Sequence, residues 1–169
     1  TPAFTVKDLK KYFPIKAGVV KRAVGNVKAV DGVSFNIKKG QVLGIVGESG
    51  CGKSTLGRTL LRLLKPTEGQ VTYEGKDVFA MDKKEMNSMR TKMQIIFQDP
   101  YSSLNPRLPV YEIVGEAMLQ HKLVKNKKDM KEKAIEIMGR CGLYPEQADR
   151  YPHQFSGGQR QRICIARAL

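Results

Sequence analysis

Apolar and polar positions along this chain switch between two periods. Val33, Phe35 and Ile37 alternate with Ser34 and Asn36, the period-two pattern of a strand with one face covered. Ahead of them, Phe4-Thr-Val-Lys-Asp-Leu9 predicts another strand, followed by a basic loop from Lys10 to Lys28 that holds Pro14, Gly18 and Gly25. Lys39-Gly40 predicts a turn. Val42-Leu43-Gly44-Ile45-Val46 is a nearly unbroken apolar run, as expected of a strand covered on both faces. Beyond a glycine-rich stretch, Leu56, Leu60, Leu63 and Leu64 fall at i, i+4, i+7 and i+8, one face of a helix over Lys53 to Leu64. Lys65-Pro66 stops it.

Gln70 to Tyr73 and Met93 to Phe97 predict further strands, separated by a polar, partly helical stretch. Asp99-Pro-Tyr-Ser-Ser-Leu-Asn-Pro106 is a loop rich in turn formers. Val110, Ile113, Val114, Ala117 and Met118 form one helical stripe, and Met130, Ala134, Ile137, Met138 and Cys141 a second, closed by Gly142 at C′. The pattern divides the chain into an α/β part over residues 1–98, a helical part over 99–155 and a last helical piece over 156–169.

At 169 residues the chain has the size of one ordinary domain, and 41% apolar residues suffice for a core without disulfides. No stretch approaches the roughly 20 apolar residues of a membrane span. The opening residues carry Lys7, Lys10 and Lys11 with no apolar block behind them, so no secretory signal is expected. Cys51, Cys141 and Cys164 have no C-x-x-C spacing, which argues against a zinc site or a disulfide framework and for a reduced setting. The formal net charge of +14 is concentrated at the ends: residues 1–40 carry +7 and residues 121–169 carry +6. A basic excess raises nucleic acid, anionic lipid or a phosphate ligand as partners. The lysines at 125, 127, 128, 131 and 133 mostly lie off the apolar stripe, which favours a solvated helix face instead.

The chemistry is carried by two constellations. Gly47-Glu-Ser-Gly-Cys-Gly-Lys-Ser54 matches G-x-x-x-x-G-K-[ST], following an apolar run and opening a helix. A polyphosphate needs several N–H donors converging on it, and only a glycine-bearing loop wraps its backbone so closely. Lys53 supplies a point charge, the Ser54 hydroxyl suits Mg²⁺, and the helix presents its positive end. Cys51 is either a small filler or a thiol activated by Lys53 and the helix N-terminus. The second constellation, Phe155-Ser-Gly-Gly-Gln-Arg-Gln-Arg162, places two glycines behind a serine at the start of an apolar helix, a second anion-binding N-terminus. One nucleotide rarely needs both; two chains facing head to tail would use both.

With these motifs the whole chain resembles the ATP-binding subunit of ABC transporters. Ser156-Gly157-Gly158-Gln159 is similar to the family's LSGGQ signature, with Phe155 where leucine is commoner, and Gln98 in Ile95-Ile-Phe-Gln-Asp-Pro100 to the Q-loop glutamine. Gln98-Asp-Pro-Tyr-Ser-Ser-Leu-Asn-Pro-Arg107, Arg150-Tyr-Pro-His-Gln-Phe155 with the signature after it, and Val46 to Thr55 resemble the oligopeptide/dipeptide uptake branch. The segment Pro14 to Lys28 ahead of Ala29-Val-Asp-Gly-Val-Ser34 resembles the second of that system's two ATPase subunits.

The resemblance implies an α/β fold: a P-loop NTPase of ABC ATPase type, with a mixed sheet core, an N-terminal antiparallel β part and a helical subdomain. It implies ATP and Mg²⁺ as cofactors. Gly47, Glu48, Ser49, Gly50, Cys51, Gly52, Lys53, Ser54 and Thr55 would cradle the phosphates, and Phe13, or else Tyr12, would stack on adenine. Ser54 and Gln98 would hold Mg²⁺, with Lys53 and Gln98 in catalytic roles, Gln98 sensing the γ-phosphate. Ser156, Gly157, Gly158 and Gln159 would bind the γ-phosphate of a second ATPase subunit's ATP, in a head-to-tail pair that the branch suggests is a heterodimer. Tyr101 to Arg107 would face a membrane permease, served indirectly by a peptide-binding protein, on the cytoplasmic face of a prokaryotic membrane.

The family's Asp-Glu strand and switch histidine, expected after the signature helix, do not occur within these residues. A piece of a longer protein is therefore expected, nearly inactive alone, with Val42–Val46 and Ile95–Phe97 short of neighbours. A soluble ABC-type ATPase acting on nucleic acid or ribosomes, and an inactive nucleotide-binding fragment, are the alternatives. The basic segments lack the interleaved aromatics of a single-strand binder, so no nucleic acid is expected.

Overall fold

The computed structural model describes residues 2–17 and 22–169, with nothing assigned to the side chains of residues 16–24. The chain divides between Met93 and Gln94 into two compact units.

The first unit is built on a long antiparallel hairpin, β1 (Pro2–Ala17) and β2 (Arg22–Lys38). Behind it come α1 (Lys53–Leu60), β3 (Glu68–Tyr73), the two-residue β4 (Lys76–Asp77) and α2 (Lys83–Arg90). The sheet order is β2-β1-β3-β4, and every described pairing is antiparallel. Phe4 pairs with Ile37 and Tyr73, and Val6 with Phe35 and Val71. Val33, Phe35 and Ile37 are half-buried and Ser34 and Asn36 exposed, as their alternation predicts. Val6, Leu9, Val30, Leu56, Val71, Val78, Met81, Met86 and Met89 form the core under this sheet.

Three expectations fail in this unit or where the chain leaves it. The loop expected over Lys10–Lys28 is largely strand, apart from residues 18–21, which fall outside the described residues. β3 pairing stops at Lys10, so β1 runs on as a two-stranded ribbon with β2 alone. An edge tolerates Pro14, which has no N–H to offer a third strand. Second, Val42–Val46 and Met93–Phe97 form no strand. Both lie outside any described ladder, the shortage of neighbours expected for them, and Val42 and Val46 are each 93% exposed. A doubly covered strand exists only where other strands satisfy its N–H and C=O groups. Third, α1 ends at Leu60 rather than Leu64. Arg62 turns left-handed (φ 53°), Arg62 N–H donates to Thr59 O (3.0 Å) and Leu63 N–H to Arg58 O (2.8 Å), closing the helix in a Schellman arrangement. Arg62 tolerates that backbone because its guanidinium donates to Met81 O (2.7 Å) and Val78 O (3.2 Å).

The second unit is helical: α3 (Pro100–Ser103), α4 (Val110–Gln120), α5 (Lys127–Arg140) and α6 (Gly157–Ala168), with 3-10 turns at Pro145–Gln147 and Pro152–Gln154. Asn126 caps α5, its side chain accepting from Lys128 and Asp129 N–H. Gly142 closes the helix at φ 74°, with Gly142 N–H donating to Gly139 O and Leu143 N–H to Met138 O. α4 follows a proline and has no side-chain cap, so its first N–H groups go elsewhere. Val110 N–H donates to Arg150 O (2.9 Å) and Tyr111 N–H to Ala148 O (3.0 Å). Those bonds tie the segment leading to Ser156 onto α4. Ile163, Cys164 and Ala166 of α6 share one core with Val110, Ile113 and Val114 of α4 and Ala134 and Met138 of α5. Phe155 is buried in that core and anchors the loop that ends at Ser156.

Candidate functional site

In the first unit, the glycine-rich loop feeds directly into α1. Gly52 precedes the helix at φ 96°, and a Cβ there would run into the carbonyl oxygen of Ala29 on β2. Only glycine meets both conditions, so the position of Lys53 is set by the backbone before any side chain acts. No side chain caps this helix and no acidic residue lies in its first turn, so its positive end is not offset by a side chain there. Lys53 Nζ curls back over the loop, donating to Gly47 O (2.7 Å) and Glu48 O (2.6 Å), with Cys51 Sγ at 3.4 Å. The ammonium is thus held by carbonyls of the loop that precedes it. Ser54 is exposed at the second helical position and Thr55 follows, half-buried. Glu48, Ser49, Gly50 and Cys51 are exposed along the loop.

Phe13 lies on the ribbon part of β1, opposite Val27, and is 38% exposed, so it is not a core residue. Lys11 Nζ stands 4.8 Å from its ring centroid. Neighbouring Tyr12 is engaged differently: its hydroxyl donates to the Asp31 carboxylate, and Lys28 Nζ lies 5.4 Å from its ring. That hydrogen bond holds the Asp31 carboxyl below its ordinary range and raises the Tyr12 phenol above its own.

In the second unit, Gln98 is exposed in a bend one residue before Asp99. Asp99 caps α3, accepting from Tyr101 N–H (2.9 Å). Its carboxyl lies below the usual carboxylate range, chiefly through a hydrogen bond from the Ser102 side chain and then through that from Tyr101. Ser156 and Gln159 form a reciprocal cap on α6: Gln159 N–H donates to Ser156 Oγ (3.3 Å) and Ser156 N–H to Gln159 Oε1 (3.0 Å). The cap takes the N–H of Gln159 and leaves those of Gly157 and Gly158 without an intrahelical partner, on exposed residues that bear no side chain. This box was missed in the sequence, although serine three residues ahead of glutamine is its signal. His121 and His153 join no group of three potential metal ligands among the described residues.

Known proteins resemble this chain over nearly all of its length. The family described as ABC transporter matches residues 30–169, a span that includes Lys53, Gln98 and the Ser156–Gln159 box. The chain is 54% identical over 165 residues to the oligopeptide transport ATP-binding protein AppF of Bacillus subtilis, covering 97% of this chain and 50% of that protein. It is 49% identical over 168 residues to the dipeptide transport ATP-binding protein DppF of Escherichia coli, covering 99% of this chain and 49% of the relative. Among solved structures it is similar to a dimeric post-hydrolysis state of the ATP-binding cassette MJ0796 bound to ADP and Pi. That likeness has a TM-score of 0.83 at 31% identity and covers 98% of this chain and 68% of the other. The chain spans about half the length of the curated relatives it matches. With the match running over residues 30–169, most of its length, this chain belongs to the ABC transporter family.

Proposed function

We propose that this chain is the ATP-binding part of a subunit that powers uptake of oligopeptides or dipeptides through a membrane permease. The observation that carries the reading is Lys53 at the uncapped start of α1, turned into its own glycine loop. An ammonium has three donors; phosphate oxygens entering the loop would replace neutral carbonyls as acceptors, forming the stronger charge-assisted bonds. The names of AppF and DppF support the peptide cargo, and the dimeric MJ0796 cassette supports a paired ATPase.

In this reading Gly47 to Thr55 cradle the phosphates and exposed Phe13 offers its ring to adenine. Ser54 and Gln98 are each assigned to Mg²⁺ on their own chemistry: an exposed hydroxyl and an exposed amide carbonyl are oxygen ligands of the kind a hard cation takes. Bound there, the ion supplies charge neutralisation at the phosphates. Ser156, Gly157, Gly158 and Gln159 present the second anion-binding N-terminus to the ATP of a partner subunit, head to tail and different from this one. Tyr101 to Arg107 meet the permease, which places the subunit peripherally on the cytoplasmic face of the membrane.

Alkylation of exposed Cys51 tests the nucleotide's place. Mg-ATP is expected to slow it in the wild-type chain, and Lys53→Ala to remove that protection by weakening binding roughly ten- to a hundredfold, the equivalent of losing one charged hydrogen bond. Unchanged alkylation with saturating Mg-ATP refutes the placement.

A further inference from the structure

Arg160, Cys164 and Arg167 recur at i, i+4 and i+7 on α6 and so lie on one face of it. All three meet α3. The Arg160 guanidinium carbon lies 4.1 Å from the centre of the Tyr101 ring. Cys164 Sγ is 3.2 Å from Ser103 Oγ, and Arg167 Nη1 donates to Ser103 O (2.6 Å). Arg160 alone of the three also reaches the turn ahead of the helix, its Nε donating to Pro152 O (2.8 Å) and its Nη2 to His153 O (3.5 Å). Tyr101 is 64% exposed, and its hydroxyl lies 3.8 Å from where a Cβ on Gly157 would sit. One half-buried guanidinium therefore joins the residues just after Gln98, the turn Pro152–Gln154 and the helix that opens with Gly157 and Gly158.

We propose that Arg160 is a positioning residue: stacked on Tyr101 and bonded to Pro152 O, it holds the Ser156–Gly158 turn in register with the segment that follows Gln98. The geometry requires arginine. A planar guanidinium lays its face on an aromatic ring while its edge N–H groups donate in the same plane. A lysine ammonium is a point charge and keeps one contact or the other. Cys164 and Arg167 hold Ser103 independently, so losing the Arg160 contact frees the turn without releasing α3. What the two joined ends bind rests on the proposed function; the latch itself does not.

Residue-resolved amide hydrogen exchange on the 169-residue chain tests it. Arg160→Ala and Tyr101→Ala are each expected to speed exchange about tenfold over residues 153–158, with α4 and α5 unchanged. Tyr101→Phe keeps the ring and should match wild type, Arg160→Lys should resemble Arg160→Ala, and the double alanine variant should be no faster than the worse single. No change in Arg160→Ala, or an equal rise throughout the second unit, overturns the latch. In the assembled transporter, Arg160→Ala should lower kcat for ATP about tenfold with KM within twofold. An unchanged kcat in Arg160→Ala overturns it as well. A wild-type assembly that does not hydrolyse ATP overturns the proposed function and leaves the exchange pattern to decide the latch.

Discussion

Arg62 shows how one side chain stabilises a backbone it would otherwise strain. A left-handed non-glycine residue costs about 1–2 kcal/mol, which its hydrogen bonds to Met81 O and Val78 O must offset. Arg62→Ala and Arg62→Gly both lose those bonds, but only alanine keeps the strain. Glycine is therefore expected to be the more stable variant by about 1–2 kcal/mol, less its own entropy cost of about 0.5–1, in urea unfolding. Asp31 and Tyr12 make a pH-dependent pair. The Asp31 carboxyl is depressed, so its contribution is complete above the ordinary carboxylate range and is lost as pH falls through the folded value. Tyr12 is raised, so its contribution is complete below the ordinary phenol value and is lost as pH rises through the folded one. Tyr12→Phe should move the Asp31 midpoint upward in a carboxyl carbon NMR titration; an unmoved midpoint would show that Lys28, not the phenol, holds it.

The packing of α4 on α5 turns on a residue with no side chain. Gly115 is buried in the interior of α4, and a Cβ there would collide with Cγ of Met130 and lie 3.1 Å from its Sδ. Helix propensity favours alanine by about 1 kcal/mol, whereas overpacking a core costs about 1–3 kcal/mol. The collision wins, and Gly115→Ala should lower the urea midpoint. Met130→Ala leaves a void worth about 2–5 kcal/mol, and the added methyl partly fills it, so the double variant should cost less than the sum of the singles. The stripes that predict α4 and α5 are carried by residues such as Ile113 and Met138, and both are core residues. The stripe of α1 overran because Leu63 and Leu64 keep a helical period where the chain had already turned at Arg62.

In the molecule taken whole, the +14 excess stays unneutralised, since each ion pair uses one acid for one base, and the lysines of α5 show how it is carried. Lys131 pairs with Asp149 (2.7 Å), Lys127 with Glu112 (3.6 Å), and Lys133 donates to Leu123 O (3.1 Å), which agrees with a solvated, partly paired helix face. The exposed apolar run is the larger consequence. Val42, Leu43, Ile45 and Val46 face water without strand partners, the condition under which a β-prone segment associates. Concentration-dependent light scattering is expected from the wild-type chain. Replacing Val42 and Val46 together by lysine should reduce it while leaving the urea midpoint unchanged, since neither side chain contributes to a core. A lowered midpoint would show that the run is packed after all.

Local chemistry was legible without coordinates. Glycine at Gly52 before Lys53, the Ser156-Gly-Gly-Gln159 start of α6 and Gly142 after α5 each follow from what a backbone needs within a few residues. The alternation at Val33, Phe35 and Ile37 and the stripes of α4 and α5 were legible for the same reason, because burying one face sets the period. Tertiary structure alone decided whether Val42–Val46 becomes a strand, since a strand's hydrogen bonds belong to its neighbours and not to its own residues. It decided equally where Arg160 lies, because the Tyr101 ring it covers is 59 positions away along the chain and no period connects them.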